Sequence, residues 1–215
     1  MATATIDSPD THSDGHDGGH GEHGTSTGIS NTKLAMWTFL GSECLLFGGL
    51  ISTYLLYKTR RGPGPDNTTI PTDLFDIPFT SVSSFVLLMS SLTMVLALSA
   101  LTRGDNQATR AWLLTTSMLG GIFIGGQVYE FTAFLREGVG FTHNPASSAF
   151  YTLTGFHGVH VTLGIVMLMS LFVASKQGKL TPKNTETVEI VGLYWHFVDI
   201  VWIFIFTVIY LIPVD

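Results

Sequence analysis

Five stretches of this 215-residue chain are each longer than the ~20 apolar residues that carry a tilted helix across a bilayer. They run roughly from Leu34 to Tyr57, Ile77 to Leu101, Ala111 to Leu135, Phe150 to Ala174 and Val188 to Ile212. The expected fold class is therefore all-α: an integral membrane bundle of five transmembrane helices over residues 33–215, preceded by a disordered tail over residues 1–32. Composition agrees. Hydrophobic residues make up 46% of the chain and charged residues 12%, about half the share usual in soluble proteins.

The tail is rich in Gly, His, Asp, Ser and Thr, and it buries too little apolar surface to offset the entropy of ordering. It holds five acids (Asp7, Asp10, Asp14, Asp17 and Glu22) out of a chain with net charge −6, and no Lys or Arg. Its His12, His16, His20 and His23 have the composition of an incidental metal-binding tract; a solvating role is the simpler reading. No basic n-region precedes the first span, which is expected to be retained. The chain lacks a basic face for nucleic acid, and a lone cysteine, Cys44, provides neither a disulfide nor a paired-cysteine metal site.

Five spans place the termini on opposite sides. Lys33, Arg103, Arg110, Lys176, Lys179 and Lys183 fall on the N-terminal side against Lys58, Arg60, Arg61 and Arg136 on the other, which favours a cytoplasmic N-terminus and an outer C-terminus. The proline- and glycine-rich stretch from Lys58 to Asp76 reads as a loop. Trp37, Tyr57 and Tyr210 are placed as interfacial anchors. The many hydroxyls of the second span, and Gly120, Gly121, Gly125 and Gly126 of the third, read as close helix packing.

Six ionisable groups lie inside the apolar runs: Glu43, Glu130, His157, His160, His196 and Asp199. A charge at the bilayer centre costs roughly 2.5 to 3.5 kcal/mol on insertion scales, so such groups face a bundle interior and a partner. The pairs Gln127/Glu130, His157/His160 and His196/Asp199 each share the three-residue step that puts two side chains on one helix face. Glu189 and Gly192 extend the stripe of the last pair, and Gly155 and Gly158 clear space beside the histidines. Hydrogen bonding within this set, as a polar core, is the expected use. Three function classes remain open on the residues alone: a small bis-histidine haem protein, a proton-coupled transporter, and a non-catalytic subunit that packs against a partner and binds lipid. The missing internal repeats and broken helices weigh against the transporter.

Thr154-Gly155-Phe156-His157-Gly158-Val159-His160-Val161, followed by Tyr194-Trp195-His196-Phe197-Val198-Asp199-Ile200-Val201-Trp202, resembles subunit III of haem-copper terminal oxidases in the five-helix bacterial form. Ser42-Glu43-Cys44-Leu45-Leu46-Phe47-Gly48-Gly49 and Gln127-Val128-Tyr129-Glu130-Phe131 resemble two further segments of that family. The resemblance spans about residues 33 to 212. It implies a subunit of an oxidoreductase complex with no catalytic centre or metal of its own, the haems and copper residing in partner subunits. It further implies catalytic subunit I as neighbour, with subunit II and a small subunit IV in the complex, bound phospholipid, and a bacterial plasma membrane setting. A supercomplex with other respiratory complexes is compatible with it. Proton uptake and oxygen access at the catalytic subunit are the implied roles. On this resemblance Glu43 is the proton-handling candidate, and Glu130, His157, His160, Glu189, His196 and Asp199 are buried polar or lipid-associated candidates. Cytochrome c and quinol both remain open as electron donor.

Overall fold

A computed structural model of the chain describes residues 30–58 and 76–212. Helices α1 (Asn31–Lys58), α2 (Ile77–Thr102), α3 (Asn106–Arg136), α4 (Pro145–Lys176) and α5 (Thr185–Phe206) follow in order. A 3₁₀ turn, Pro182–Asn184, leads into α5, and a π-helical turn, Thr207–Leu211, prolongs it. All five helices are long and apolar enough to cross a membrane. The described residues contain no strand. Asn31 and Thr32, assigned to the tail by composition, form the first turn of α1; the rest of the tail and the loop after Lys58 lie outside the described residues.

Local chemistry sets the helix ends. Asp76 caps α2 through the Phe79 N–H at 3.1 Å, and Asp105 caps α3 through the Ala108 N–H at 2.9 Å. Asn144 and Ser147 form a reciprocal capping box ahead of α4, with Pro145 in the position where a missing N–H costs nothing. Helices α2, α3 and α4 each end two residues before a glycine of positive φ: Gly104, Gly138 and Gly178 at 78°, 79° and 71°. That backbone reverses the chain while returning N–H groups to the last turn, as Asp105 N does to Ala100 O at 3.0 Å.

Helices α2, α3, α4 and α5 form a ring, each packed on its two neighbours with α5 closing it between α4 and α2. Helix α1 lies outside the ring against α4 and α5. Consequently α5 is the most buried span and α1 the least. The ring closes around two tryptophans of α5, seven residues apart and hence on one face. Trp195 donates its indole N–H to Ser90 on α2 at 2.9 Å. Its ring is slotted between two glycines: a Cβ on Gly120 of α3 would lie 2.6 Å from the ring, and one on Gly164 of α4 would lie 2.7 Å from it. Trp202 donates to Ser84 on α2 at 2.8 Å, meets Phe123 of α3 edge-on with centroids 4.7 Å apart, and stacks on His157 of α4 at 4.9 Å. One helix is thereby fixed to three.

The expectation of close packing at glycines holds at Gly120 and at Gly126, where a Cβ would lie 2.9 Å from Ser83 Oγ. Gly121, Gly125, Gly155 and Gly158 face outward, with nothing within 4 Å of a Cβ. Helices α1 and α5 run parallel and are joined at both ends. At the start, Ser30 bonds Glu186 and Lys33 pairs with Glu189 at 2.5 Å. At the far end the Lys58 ammonium donates to the carbonyls of Val208, Ile209 and Ile212 at 2.8, 3.1 and 2.8 Å. Lys58, counted as a loop charge from the sequence, is buried, because the π turn frees carbonyls that an ammonium can satisfy.

Candidate functional site

The intramembrane polar residues do not form one connected core. They occupy separate places in the bundle, and most of their partners come from other helices.

Glu43 of α1 and His160 of α4 meet with Oε2 and Nε2 3.1 Å apart, each partly shielded between the two helices. The geometry fixes the proton count. His160 Nδ1 lies 2.8 Å from the Phe156 carbonyl, which can only accept, so Nδ1 carries hydrogen. Nε2 then faces Glu43 either as a lone pair receiving the carboxyl hydrogen or as an N–H donating to a carboxylate. One proton is shared between the two side chains. Tyr194 of α5 donates its hydroxyl to the His160 carbonyl at 3.0 Å, and Phe47 lies edge-on to the imidazole at 5.0 Å, so three helices position this pair.

Glu130 of α3 is buried near the opposite end of the ring from Lys33 and Glu189. Its Oε1 accepts from Tyr210 at 2.6 Å and lies 3.2 Å from Thr80 Oγ1 of α2, while its Oε2 accepts from Gln127 at 3.3 Å. Tyr210, expected at the membrane interface, is instead buried, because the π turn swings it inward onto this carboxyl.

His196 and Asp199 of α5 are joined through Ser91 of α2. Ser91 Oγ is 2.8 Å from His196 Nδ1 and donates to Asp199 Oδ2. Asp199 is buried, and its Oδ1 has no hydrogen-bond partner among the described residues. His196 lines a cleft of about 370 Å³ between α1, α2 and α5, with Lys33 and Glu189 also in its wall. The sequence stripe Glu189-Gly192-His196 is one side of that cleft.

His157 corrects the expectation of a mutually bonded set most directly. It is fully buried, stacked on Trp202 and edge-on to Phe123 at 5.9 Å, and neither ring nitrogen has a partner among the described residues. In this place it is an aromatic packing element. Glu189 also departs from the bilayer interior: its side chain is 36% exposed beside Lys33 at the helix start.

Sequence reasoning gave Ser91 and Thr80 only a packing role, Tyr210 an interfacial one and Lys58 that of a loop charge, and it gave Tyr194 no role of its own. Ser91 had a signal, since Ser84 and Ser91 are seven residues apart and share a face of α2. Tyr210 and Lys58 had none, because both depend on the π turn. A second cleft, of about 580 Å³, lies between α1 and the start of α4, lined by Tyr57, His143 and several hydroxyls. Among the described residues no three His, Cys, Asp or Glu side chains converge as a metal site.

The arrangement can bind helices to one another and hold or pass protons. Comparison with known proteins identifies its setting. The chain is 37% identical to a quinol oxidase subunit 3 from Bacillus subtilis, over 89% of this chain and 96% of the relative. It is 36% identical to a cytochrome bo(3) ubiquinol oxidase subunit 3 from Pseudomonas aeruginosa, over 98% of both chains. With a cytochrome c oxidase subunit 3 from Bacillus sp. strain PS3 it shares 39% identity, over 84% of this chain and 86% of the relative. The family model described as cytochrome c oxidase subunit III matches residues 10–213, so that the five spans and all the polar contacts above fall within the match, and the chain belongs to the subunit III family of haem-copper terminal oxidases.

Proposed function

We propose that this chain is the non-redox accessory subunit of a bacterial terminal oxidase, set in the plasma membrane with its N-terminus cytoplasmic. It packs beside a catalytic subunit I that carries the haems and copper, in a complex that also contains subunit II and a small subunit IV. There it binds phospholipid, supports proton uptake and oxygen access, and prolongs the working life of its neighbour. The observation that carries this reading is the Glu43–His160 pair. An acid and an imidazole sharing one proton sit on the least buried helix and its neighbour, at the outer flank of the ring, where a partner subunit can exchange a proton with them.

The test is Glu43→Gln in the assembled oxidase. Glutamine keeps the shape and a hydrogen bond to His160 but cannot lose a proton. Expected are normal assembly and haem content, slower proton uptake during turnover, and a shorter turnover lifetime. Wild-type uptake and lifetime in that variant refute the proton role. Haem absorbance retained by this chain after separation from its partners refutes the accessory role and restores the haem-protein reading.

Both quinol oxidase and cytochrome c oxidase subunits appear among the relatives at similar identity. The donor is therefore a property to read from the purified complex, by comparing turnover on reduced cytochrome c with turnover on a quinol.

A further inference from the structure

We propose that His196, Ser91 and Asp199 form a proton relay from the cleft between α1, α2 and α5 to the interior of the helix ring, with Ser91 as the residue that couples the two titratable groups. It rests on the proton-supply reading above only for its purpose. Its geometry stands apart from Glu43.

The hydroxyls of α2 separate into two kinds. Ser84, Ser90 and Thr93 donate to carbonyls of their own helix at 2.7, 2.5 and 2.8 Å, leaving lone pairs for the tryptophans and for Thr116. Ser91 instead reaches across to α5 and touches both His196 Nδ1 and Asp199 Oδ2. A hydroxyl has one hydrogen, so the triad has two complete arrangements. In the first, Ser91 donates to an ionised Asp199 and accepts from Nδ1–H, which leaves the His196 Nε2 lone pair for the cleft. In the second, Asp199 carries a hydrogen and donates it to Ser91, Ser91 donates to Nδ1, and Nε2 carries the hydrogen.

A proton converts the first arrangement into the second. It bonds to Nε2 from the cleft; the Nδ1 hydrogen passes to Ser91 Oγ, and the Ser91 hydrogen passes to Asp199 Oδ2. One proton enters, one new O–H bond remains on Asp199, and no electrons change hands. The two inner transfers run along the contacts that Ser91 makes with His196 Nδ1 and Asp199 Oδ2.

The surroundings suit the two ends of such a relay. At the entrance, His196 shares the cleft with Lys33 of α1 and Glu189 of α5, the charged groups around it, and both are about one third exposed where the two helices begin. With a cytoplasmic N-terminus this is the side from which an oxidase draws protons. At the inner end Asp199 is buried and its Oδ1 has no partner among the described residues, so Ser91 is the group through which a proton reaches this carboxyl. Met94, Val95, Leu98 and Leu193 wall the cleft with apolar surface, and the imidazole joins Lys33, Glu189 and Trp37 in its lining.

The test is an infrared pH titration of the intact oxidase, with the Asp199 signal identified by its loss in Asp199→Asn and the His196 ring signal by its loss in His196→Phe. In the wild-type complex both signals are expected to change over one shared pH interval, because the one proton that the triad takes up protonates Asp199 and switches the His196 tautomer together. Ser91→Ala is expected to abolish the shared transition, and Ser91→Thr, which keeps the hydroxyl, to retain it. Separate transitions in the wild type overturn the relay, even should Ser91→Ala fail to assemble. A shared transition that survives Ser91→Ala overturns it equally. Proton uptake during turnover is read on the same samples. Coupling that is lost in Ser91→Ala while uptake stays normal keeps the relay and refutes the proton-supply reading.

Discussion

The slot that holds Trp195 supplies a sharp test of the packing account. Gly120 and Gly121 are adjacent on α3, one against the indole and one facing outward. Replacing either by alanine gains the same intrinsic helix propensity, up to about 1 kcal/mol, so that gain cancels between the two variants. What remains is steric. At Gly121 a methyl meets nothing within 4 Å; at Gly120 it lies 2.6 and 3.0 Å from two indole carbons and 3.2 Å from Ile165. Carbon atoms rest at about 3.5 to 4.0 Å, so the ring has to retreat by roughly 1 Å. It has nowhere to go. Gly164 of α4 lies against neighbouring atoms of the same ring at similar range, and the bond to Ser90 tethers the indole nitrogen at 2.9 Å. Overpacking of this kind costs about 1 to 3 kcal/mol, which is roughly 5- to 150-fold in an equilibrium. The assay is retention of the subunit by the purified oxidase as the harshness of the detergent is raised. Gly120→Ala is expected to be released earlier than Gly121→Ala by that margin, and Gly120→Ala combined with Trp195→Phe is expected to recover part of the loss. Equal retention of the two single variants refutes the slot, as does a double variant no better than Gly120→Ala.

Other contacts give expectations in the same assay or in thermal denaturation of the complex. Lys58→Met leaves three carbonyls at the end of α5 without their donor and is expected to cost about 2 to 3 kcal/mol, the range for losing hydrogen bonds to a charged group; unchanged retention contradicts the clasp. Ser84→Ala orphans the Trp202 N–H and is expected to cost about 1 to 3 kcal/mol, whereas Ser84→Ala with Trp202→Phe removes both partners and is expected to cost less than the sum of the single changes. Additive losses in that cycle sink the interpretation. His157→Phe keeps the stack on Trp202 and removes two unpartnered nitrogens, so neutral or raised stability is expected; a clear loss of stability shows that those nitrogens have a partner in the assembled complex.

Much of this architecture was readable from residue order because hydrocarbon imposes strong rules. Span number and fold class came from run length alone, and the starts of α2, α3 and α4 carry side-chain caps at Asp76, Asp105 and Asn144. The candidate residues were recognisable one by one, since a charge in an apolar run is conspicuous. Their partners were not. Spacing of three residues suggests a same-helix partner, and that holds for Gln127 with Glu130. His160 instead turned to Glu43 on another helix, and His196 to Ser91, because choice of neighbour depends on how the helices are arranged around the ring. The two glycines that admit Trp195 illustrate the same limit. Gly120 and Gly121 are indistinguishable in sequence, and only the rotation of α3 decides which one faces the indole. Tyr210 was misplaced because a π turn rotates side chains away from where α-helical spacing puts them.

The placement of α1 bears on how the chain is assembled. Its substantial contacts are with α4 and α5, which are synthesised after α2 and α3. Helices in a bilayer are inserted first and associate afterwards. For most of synthesis, then, α1 has no docking site, while α2 and α3, separated by a three-residue connection, pair at once. Helix α1 gains its first seat when α4 brings His160 to Glu43, and it is fastened at both ends when Glu186 and Glu189 emerge to meet Ser30 and Lys33 and the π turn reaches Lys58. A chain truncated ahead of α4 leaves Glu43 without His160 and α1 without the helix it packs on most.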